Sequence, residues 1–222
     1  MSDPPTVHPP VRTFKPRRRS LAPARQAMVD RLAQQWALDE TGPVLDLPAV
    51  FGRDAGVVLD IGIGLGDTMI ELAVAQPQLD VIGVDVHTPG FATSLASIDE
   101  LGLTNIRLVH GDALVFLDRI AAGSLTGVRI WFPDPWPKIR QRHRRIVRPD
   151  VVDRLVELLR PGGWLHLATD IDDYAQRMQQ VCDAHPEWHG GVIDRPVWRP
   201  VTRYEQRGRT LGHHAVDLVY TR

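Results

Sequence analysis

Four aspartates beside glycines and prolines mark where this chain of 222 residues can do chemistry. Asp60-Ile61-Gly62-Ile63-Gly64-Leu65-Gly66 follows an apolar run and opens a helical pattern. Glycines so placed let the backbone turn sharply and let a ligand approach the main chain closely. Asp85 closes the next apolar run, where an acid can hold a ribose diol. Asp112, in Gly111-Asp112-Ala113, closes a third and is placed to meet an adenine amino group. Asp134 closes a fourth, held between prolines in Trp131-Phe132-Pro133-Asp134-Pro135-Trp136-Pro137-Lys138.

Two cofactor classes compete for such a loop. A dinucleotide site wants Gly-x-Gly-x-x-Gly and a helix N-terminus free to receive a pyrophosphate. Here the spacing is Gly-x-Gly-x-Gly, position 67 is Asp, and Asp60 precedes the loop, so a phosphate would meet negative charge. The same acids suit a cofactor that carries an ammonium and a sulfonium and no phosphate. S-adenosylmethionine is favoured over a nicotinamide dinucleotide on that ground. Ligands of open α/β sheets bind outside the carboxyl ends of the strands, which turns Asp134 toward the reactive end of the cofactor.

The elements that must position these acids are legible from periodicity. Val57–Ile61, Val81–Asp85, Ile106–Val109, Val128–Phe132 and Trp164–Thr169 read as buried strands. Helical patterns lie between them near 67–75, 91–101, 113–121 and 150–160, and another spans 172–184 with Asp172 and Asp173 in its first turn. An amphipathic helix over 21–38 precedes the first strand. This alternation predicts an α/β fold, a mostly parallel sheet with helices on both faces. Residues 197–201 and 215–220 read as strands with no long helix between them, an antiparallel finish.

The formal net charge of −1 conceals a strong segregation. Arg12, Lys15, Arg17, Arg18, Arg19 and Arg25 form one basic stretch; Lys138, Arg140, Arg142, Arg144, Arg145 and Arg148, with His143, form a second; Arg203, Arg207 and Arg209 form a third. Trp131, Trp136 and Tyr204 lie beside the second and third. Phosphates draw in such cations and bases stack on such rings, so nucleic acid is the expected partner. Residues 1–19, rich in proline and arginine, read as a flexible basic arm, and 20–222 as a single domain. No apolar run is long enough to span a bilayer, the N-terminus has no secretory apolar region, and the lone Cys182 can form neither an internal disulfide nor a zinc cluster. A cytoplasmic protein without a bound metal is expected.

The chain resembles bacterial tRNA (guanine-N7-)-methyltransferases. The matching segments are DIGIGLG (60–66), GVDVH (83–87), GDA (111–113), FPDPWPKIRQRHRRIV (132–147), ATD (168–170) and TRYEQRGRTLGH (202–213). The resemblance implies a class I methyltransferase fold, a mostly parallel seven-stranded sheet with one antiparallel strand. It implies methyl transfer from S-adenosylmethionine to N7 of the guanine at position 46, in the tRNA variable loop. Carried over by motif, Asp60, Asp85, Asp112 and Asp134 contact the cofactor beside Gly62, Gly64, Gly66 and Ala113, and Asp134 is also the catalytic residue. Lys138, Asp170, Thr202, Arg203, Tyr204 and Glu205 match substrate-binding positions, with Asp170 and Glu205 expected to accept from guanine N1–H and N2–H₂. Arg140, Gln141, Arg142, His143, Arg144 and Arg145 match the RNA-contacting segment. Monomer and homodimer both fit. A methyltransferase acting on an exocyclic amino group, an inactive RNA-binding module and a dinucleotide oxidoreductase are the rival readings.

Overall fold

The computed structural model describes residues 12–14 and 20–222. Its elements run α1 (Pro23–Trp36), β1 (Ala37–Leu38), α2 (Leu47–Phe51), β2 (Gly56–Ile61), α3 (Asp67–Ala75), β3 (Leu79–Asp85), α4 (Thr88–Leu101) and β4 (Ile106–His110). There follow α5 (Ala113–Phe116), β5 (Leu125–Trp131), α6 (Pro149–Leu158), β6 (Leu159–Thr169), α7 (Asp172–Asp183), β7 (His189–Ile193), α8 (Arg203–Thr210) and β8 (Val216–Thr221). The sheet order is β1-β4-β3-β2-β5-β6-β8-β7, in which β8 runs antiparallel to both neighbours and every other pairing is parallel. Apart from the two-residue edge strand β1, this is the expected seven-stranded sheet with one reversed strand.

The central strands are apolar because both faces of a parallel sheet are covered. Val57, Leu59 and Ile61 of β2 join Val128 and Ile130 of β5 and Leu165 and Leu167 of β6 in a core closed by α6 and α7. Val81 of β3 and Ile106 and Leu108 of β4 face the other way, under α1, α3 and α4. The alternation of side chains along each strand divides them between the two cores.

Beyond β2, that second face sets a row of charge among Trp131, Trp164 and Ala168. Asp60, Arg129 and His166 lie side by side on β2, β5 and β6, in register. All three are nearly inaccessible, as is Asp217 of β8, which accepts from His166 Nε2 at 2.8 Å. The end of α3 reaches Arg129, whose Nη2 donates to Gln76 Oε1 at 3.3 Å. The irregular segment 194–202 lies over the other end of the row, with Trp198 edge-on to His166 and Arg199 inserted against Asp217.

Here the expectation for the tail needs correcting. Residues 197–201 form no strand; β7 lies earlier, at His189–Ile193, and a helix, α8, stands before β8. Arg199 is the physical reason. Its guanidinium is buried between Asp217 of β8 and Glu205 of α8, so the segment crosses the sheet face instead of pairing along an edge. The predicted helix over 113–121 is shorter, one turn of α-helix followed by a 3₁₀ turn at Leu117–Arg119.

The loop after β2 depends on glycine at one position above all. Gly66 has φ +84°, and a Cβ there would fall 2.0 Å from Ser94 Oγ of α4. Gly66→Ala is therefore expected to cost about 2 kcal/mol. Equilibrium urea denaturation of the two proteins checks this.

Candidate active site

A cavity of about 640 Å³ opens at the carboxyl ends of β2, β3, β4 and β5. The neighbours of β2 depart in opposite directions there, which leaves a crevice. Gly62, Gly64 and Leu65 form its floor, Asp85 and Asp112 one wall, and Phe132, Pro133 and Asp134 another. Arg203, Tyr204 and Arg207 of α8 close the side opposite the carboxylates, with Thr13 and Phe14.

Asp85 is built into the loop that it faces. Its carboxylate accepts from Gly64 N–H at 2.7 Å and from His87 N–H at 2.9 Å, so it fixes the turn. Burial raises its pKa above that of a free aspartate, and the two backbone donors only partly offset this. Asp112 caps α5 by accepting from Leu114 N–H at 3.0 Å, and its pKa too is raised, mainly by burial. Its own N–H donates to Glu40 at 2.6 Å. Glu40 lies in a stretch that reads only as a loop, and no spacing in the sequence singles it out.

Asp60 does not reach the cavity. It is 5% exposed and faces Arg129 Nη1 at 3.7 Å, beneath the loop. Burial raises its pKa while Arg129 opposes the shift. The acids that face the cavity are thus Asp85, Asp112 and Asp134, and the charge of Asp60 is answered from within the sheet. Gly66 likewise lies behind the floor, against α4.

The turn that carries Asp134 is strained on both flanks. Phe132 (φ +51°) and Trp136 (φ +42°) are left-handed although neither is glycine and each precedes a proline. Such residues cost about 1–3 kcal/mol each and persist where their surroundings over-determine them. Phe132 N–H donates to Ala168 O at 2.7 Å, and Arg145 Nε donates to Pro135 O at 2.8 Å. The Trp136 indole N–H donates to Thr13 O at 2.9 Å, and Arg144 lies 3.8 Å over the Trp136 ring while donating to Arg12 O. Thr13 and Phe14 of the expected flexible arm are part of the cavity wall, with Arg12 bonded beside them; the rest of 1–19 falls outside the described residues.

The basic segment after the turn, a 3₁₀ stretch at Ile139–Arg144, is not uniform. Lys138, Arg140 and His143 are exposed. Arg142 is exposed and paired with Asp173 at 2.9 Å. Arg145 is 3% exposed, paired with Asp173 at 2.8 Å and laid over the Tyr174 ring, so it is a packing residue and not an RNA contact as expected. Gln141 and Arg144 are half-buried.

The Thr-Arg-Tyr-Glu-Gln-Arg-Gly run divides by helical face. Thr202 caps α8 by accepting from Glu205 N–H at 3.0 Å. Arg203, Tyr204 and Arg207 face the cavity, and Arg203 also pairs with Asp67 of α3 at 2.6 Å, across its mouth. Glu205 and Gly208 face inward. Glu205 is 2% exposed, one oxygen taken by Arg199 at 2.7 Å and the other by Arg209 at 2.7 Å and Arg195 at 3.2 Å. The structure thus commits this carboxylate to arginines and leaves it off the cavity lining, where the resemblance implies a contact with the base. Asp170 lines a neighbouring cavity with His213 and His214, and its Oδ2 lies 3.4 Å from His213 Nδ1. Among the described residues no three His, Cys, Asp or Glu side chains gather as a metal ion would need, and no helix is long and apolar enough to cross a membrane.

Trp136→Phe keeps the ring under Arg144 and removes the donor to Thr13. Amides at 12–14 are expected to exchange faster, with the domain about 1–2 kcal/mol less stable. Hydrogen-exchange mass spectrometry and denaturation measure the two effects.

Residues 54–218 match a family model described as "Putative methyltransferase". The chain is 46% identical over 218 residues to the tRNA (guanine-N(7)-)-methyltransferase of Xanthomonas campestris pv. campestris (strain 8004), covering 96% of this chain and 84% of that one. It is 39% identical over 219 residues to the enzyme of the same name from Nitrosomonas europaea, covering 97% and 98%. Among solved structures it is similar in fold to the 16S rRNA methyltransferase KamB, with a TM-score of 0.57, 16% identity, and coverage of 81% and 94%. Likeness at the level of the first two, over nearly the whole chain, means that the chain belongs to the tRNA (guanine-N7-)-methyltransferase family.

Proposed function

We propose that the cavity binds S-adenosylmethionine and that the protein transfers its methyl group to N7 of a guanine in tRNA, at position 46 as the family resemblance implies. One observation carries this reading: a single cavity is lined by the carboxylates of Asp85, Asp112 and Asp134 together with Arg203, Tyr204 and Arg207 of α8.

The lining fits such a donor. Asp85, Asp112 and Asp134 attract its positive groups and would repel a diphosphate. The N-terminus of α3, where a dinucleotide's phosphates would rest, holds Asp67 already paired with Arg203. Asp85 would hold the ribose, Asp112 the adenine amino group, and the Gly62–Gly64 backbone would lie along the cofactor. When bound, S-adenosylmethionine supplies an electrophilic methyl group on sulfur.

What the protein must add is placement. Guanine N7 carries a neutral lone pair on the major-groove edge and gives up no proton before it attacks. No strong base is needed, and alignment of N7 with the methyl group supplies most of the acceleration. Positive charge develops on the imidazole ring as the bond forms, and the fixed carboxylate of Asp134 stabilises it. Tyr204, 61% exposed at the cavity, offers a ring for the extruded purine to stack on. Arg203 and Arg207 meet the flanking phosphates, as do Lys138 and Arg140 farther out. Asp170 is the acid left to accept from the purine's N1–H and N2–H₂.

Incubation of the protein with tRNA and S-adenosylmethionine, followed by mass spectrometry of the digested nucleosides, is expected to yield 7-methylguanosine. Asp134→Ala should lower that yield by on the order of 100-fold or more with its circular dichroism unchanged; wild-type turnover would remove Asp134 from the reaction. Acidity provides a second test. Asp85 and Asp112 have raised pKa values, so their charged forms are lost at a higher pH than those of free aspartates as the solution is acidified. Calorimetric affinity for S-adenosylmethionine should therefore fall before the ordinary range near about pH 3.9 is reached. Asp85→Asn should weaken binding at neutral pH and flatten the remaining dependence.

A further inference from the structure

Helix α8 forms the acceptor side of the cavity, yet nothing apolar holds it in place. Of its eight residues only Glu205 and Gly208 are buried. A helix this short is unstable alone, and one without an apolar stripe gains no hydrophobic anchorage. Gly208 permits close approach, since a Cβ there would come within 3.1 Å of Asp170 Oδ2. Apart from the surface pair Arg203–Asp67, the attachment is Glu205.

Glu205 is received by Arg199, a residue outside every basic stretch of the sequence. Arg199 is fully buried. Nη1 donates to Glu205 Oε2 at 2.7 Å, Nη2 donates to Asp217 Oδ2 at 3.0 Å, and Nε lies 2.7 Å from Asp217 Oδ1. The same guanidinium sits 5.7 Å from the Phe132 ring and 5.8 Å from that of Trp131. One rigid planar cation therefore touches the sheet through β8, the base of α8, and the strained residue that begins the Asp134 turn.

We propose that Arg199 is a positioning residue for methyl transfer, fixing α8 and the Phe132–Asp134 turn relative to each other so that purine and donor meet in line. It touches neither reactant. The proposal rests on the function proposed above, because it is the acceptor side that Arg199 holds. Lysine cannot replace it: a single ammonium cannot present a fork to Asp217 while donating in a fixed plane to Glu205.

The test compares wild type, Arg199→Lys and Glu205→Gln for donor affinity by calorimetry, kcat with tRNA, and hydrogen exchange along α8. Donor affinity, set chiefly by Asp85, Asp112 and the Gly62–Gly64 backbone, should stay within about twofold while kcat falls by on the order of 100-fold in Arg199→Lys. Amides of α8 should exchange faster, with those of β2 and β5 unchanged. Glu205→Gln keeps the helix's shape and one acceptor for Arg199, so it should show the same split with a smaller loss; it also serves if Arg199→Lys does not fold. Wild-type kcat in either folded variant, or loss of donor affinity by the same factor as kcat, would overturn the proposal. If wild-type protein forms no 7-methylguanosine, the function proposed above fails on its own, and unaltered exchange of α8 in the variants would separately reject Arg199 as its anchor.

Discussion

A buried charge must be met by an opposite one, and in this molecule that requirement organises half of a sheet face. Asp60, Arg129, His166 and Asp217 occupy positions where a parallel sheet ordinarily carries hydrocarbon. Arg129 is held between Asp60 and the faces of Trp131 and Trp164. Burial pushes His166 below its ordinary pKa, against the pull of Asp217. Desolvated ions of this kind add little net stability compared with apolar residues of the same size. What they supply is direction. An apolar patch accepts many coverings, whereas this row accepts a segment that brings Arg199 to Asp217 and Glu205 to Arg199.

That constraint links the two ends of the chemistry. The row begins under the glycine loop at Asp60 and ends under α8 at Glu205. Ion pairs at its two ends, Asp60–Arg129 and Asp217–Arg199–Glu205, therefore tie the glycine loop and α8 to one sheet face. The Asp134 turn stands between them, with two left-handed residues held by Ala168, Thr13 and Arg199. Strain of that sort needs rigid surroundings, and the charged layer below and the Arg144–Trp136 stack above supply them.

Much of the fold is legible in the sequence because β2 to β6 and their helices obey simple periodicities. The cavity acids Asp85, Asp112 and Asp134 are legible because each ends an apolar run with glycine or proline within two residues. The tail is not, and the reason is specific. Residues 194–210 contain almost no apolar pattern, since their inward positions are Arg199, Glu205 and Gly208 instead of Val or Leu. A rule that equates inside with apolar reads Val197–Val201 as a strand, whereas Val197 is fully exposed and Arg199 fully buried. Asp60 and Glu205 were legible as motif members, but a motif does not say that an arginine elsewhere in the chain has claimed the carboxylate. Glu40, bonded through the Asp112 backbone, left no local signal at all.

Because only two positions of α8 face inward, its other side chains are spared any duty in the core. Tyr204, Gln206, Arg207 and Thr210 are exposed. Relatives under selection for different RNA acceptors could rewrite that outer face at little thermodynamic risk, provided the inner arginine–glutamate couple is inherited intact. Evolvability is thus lodged in the exposed face of one short helix that borders the reaction, on a mounting that scarcely tolerates change.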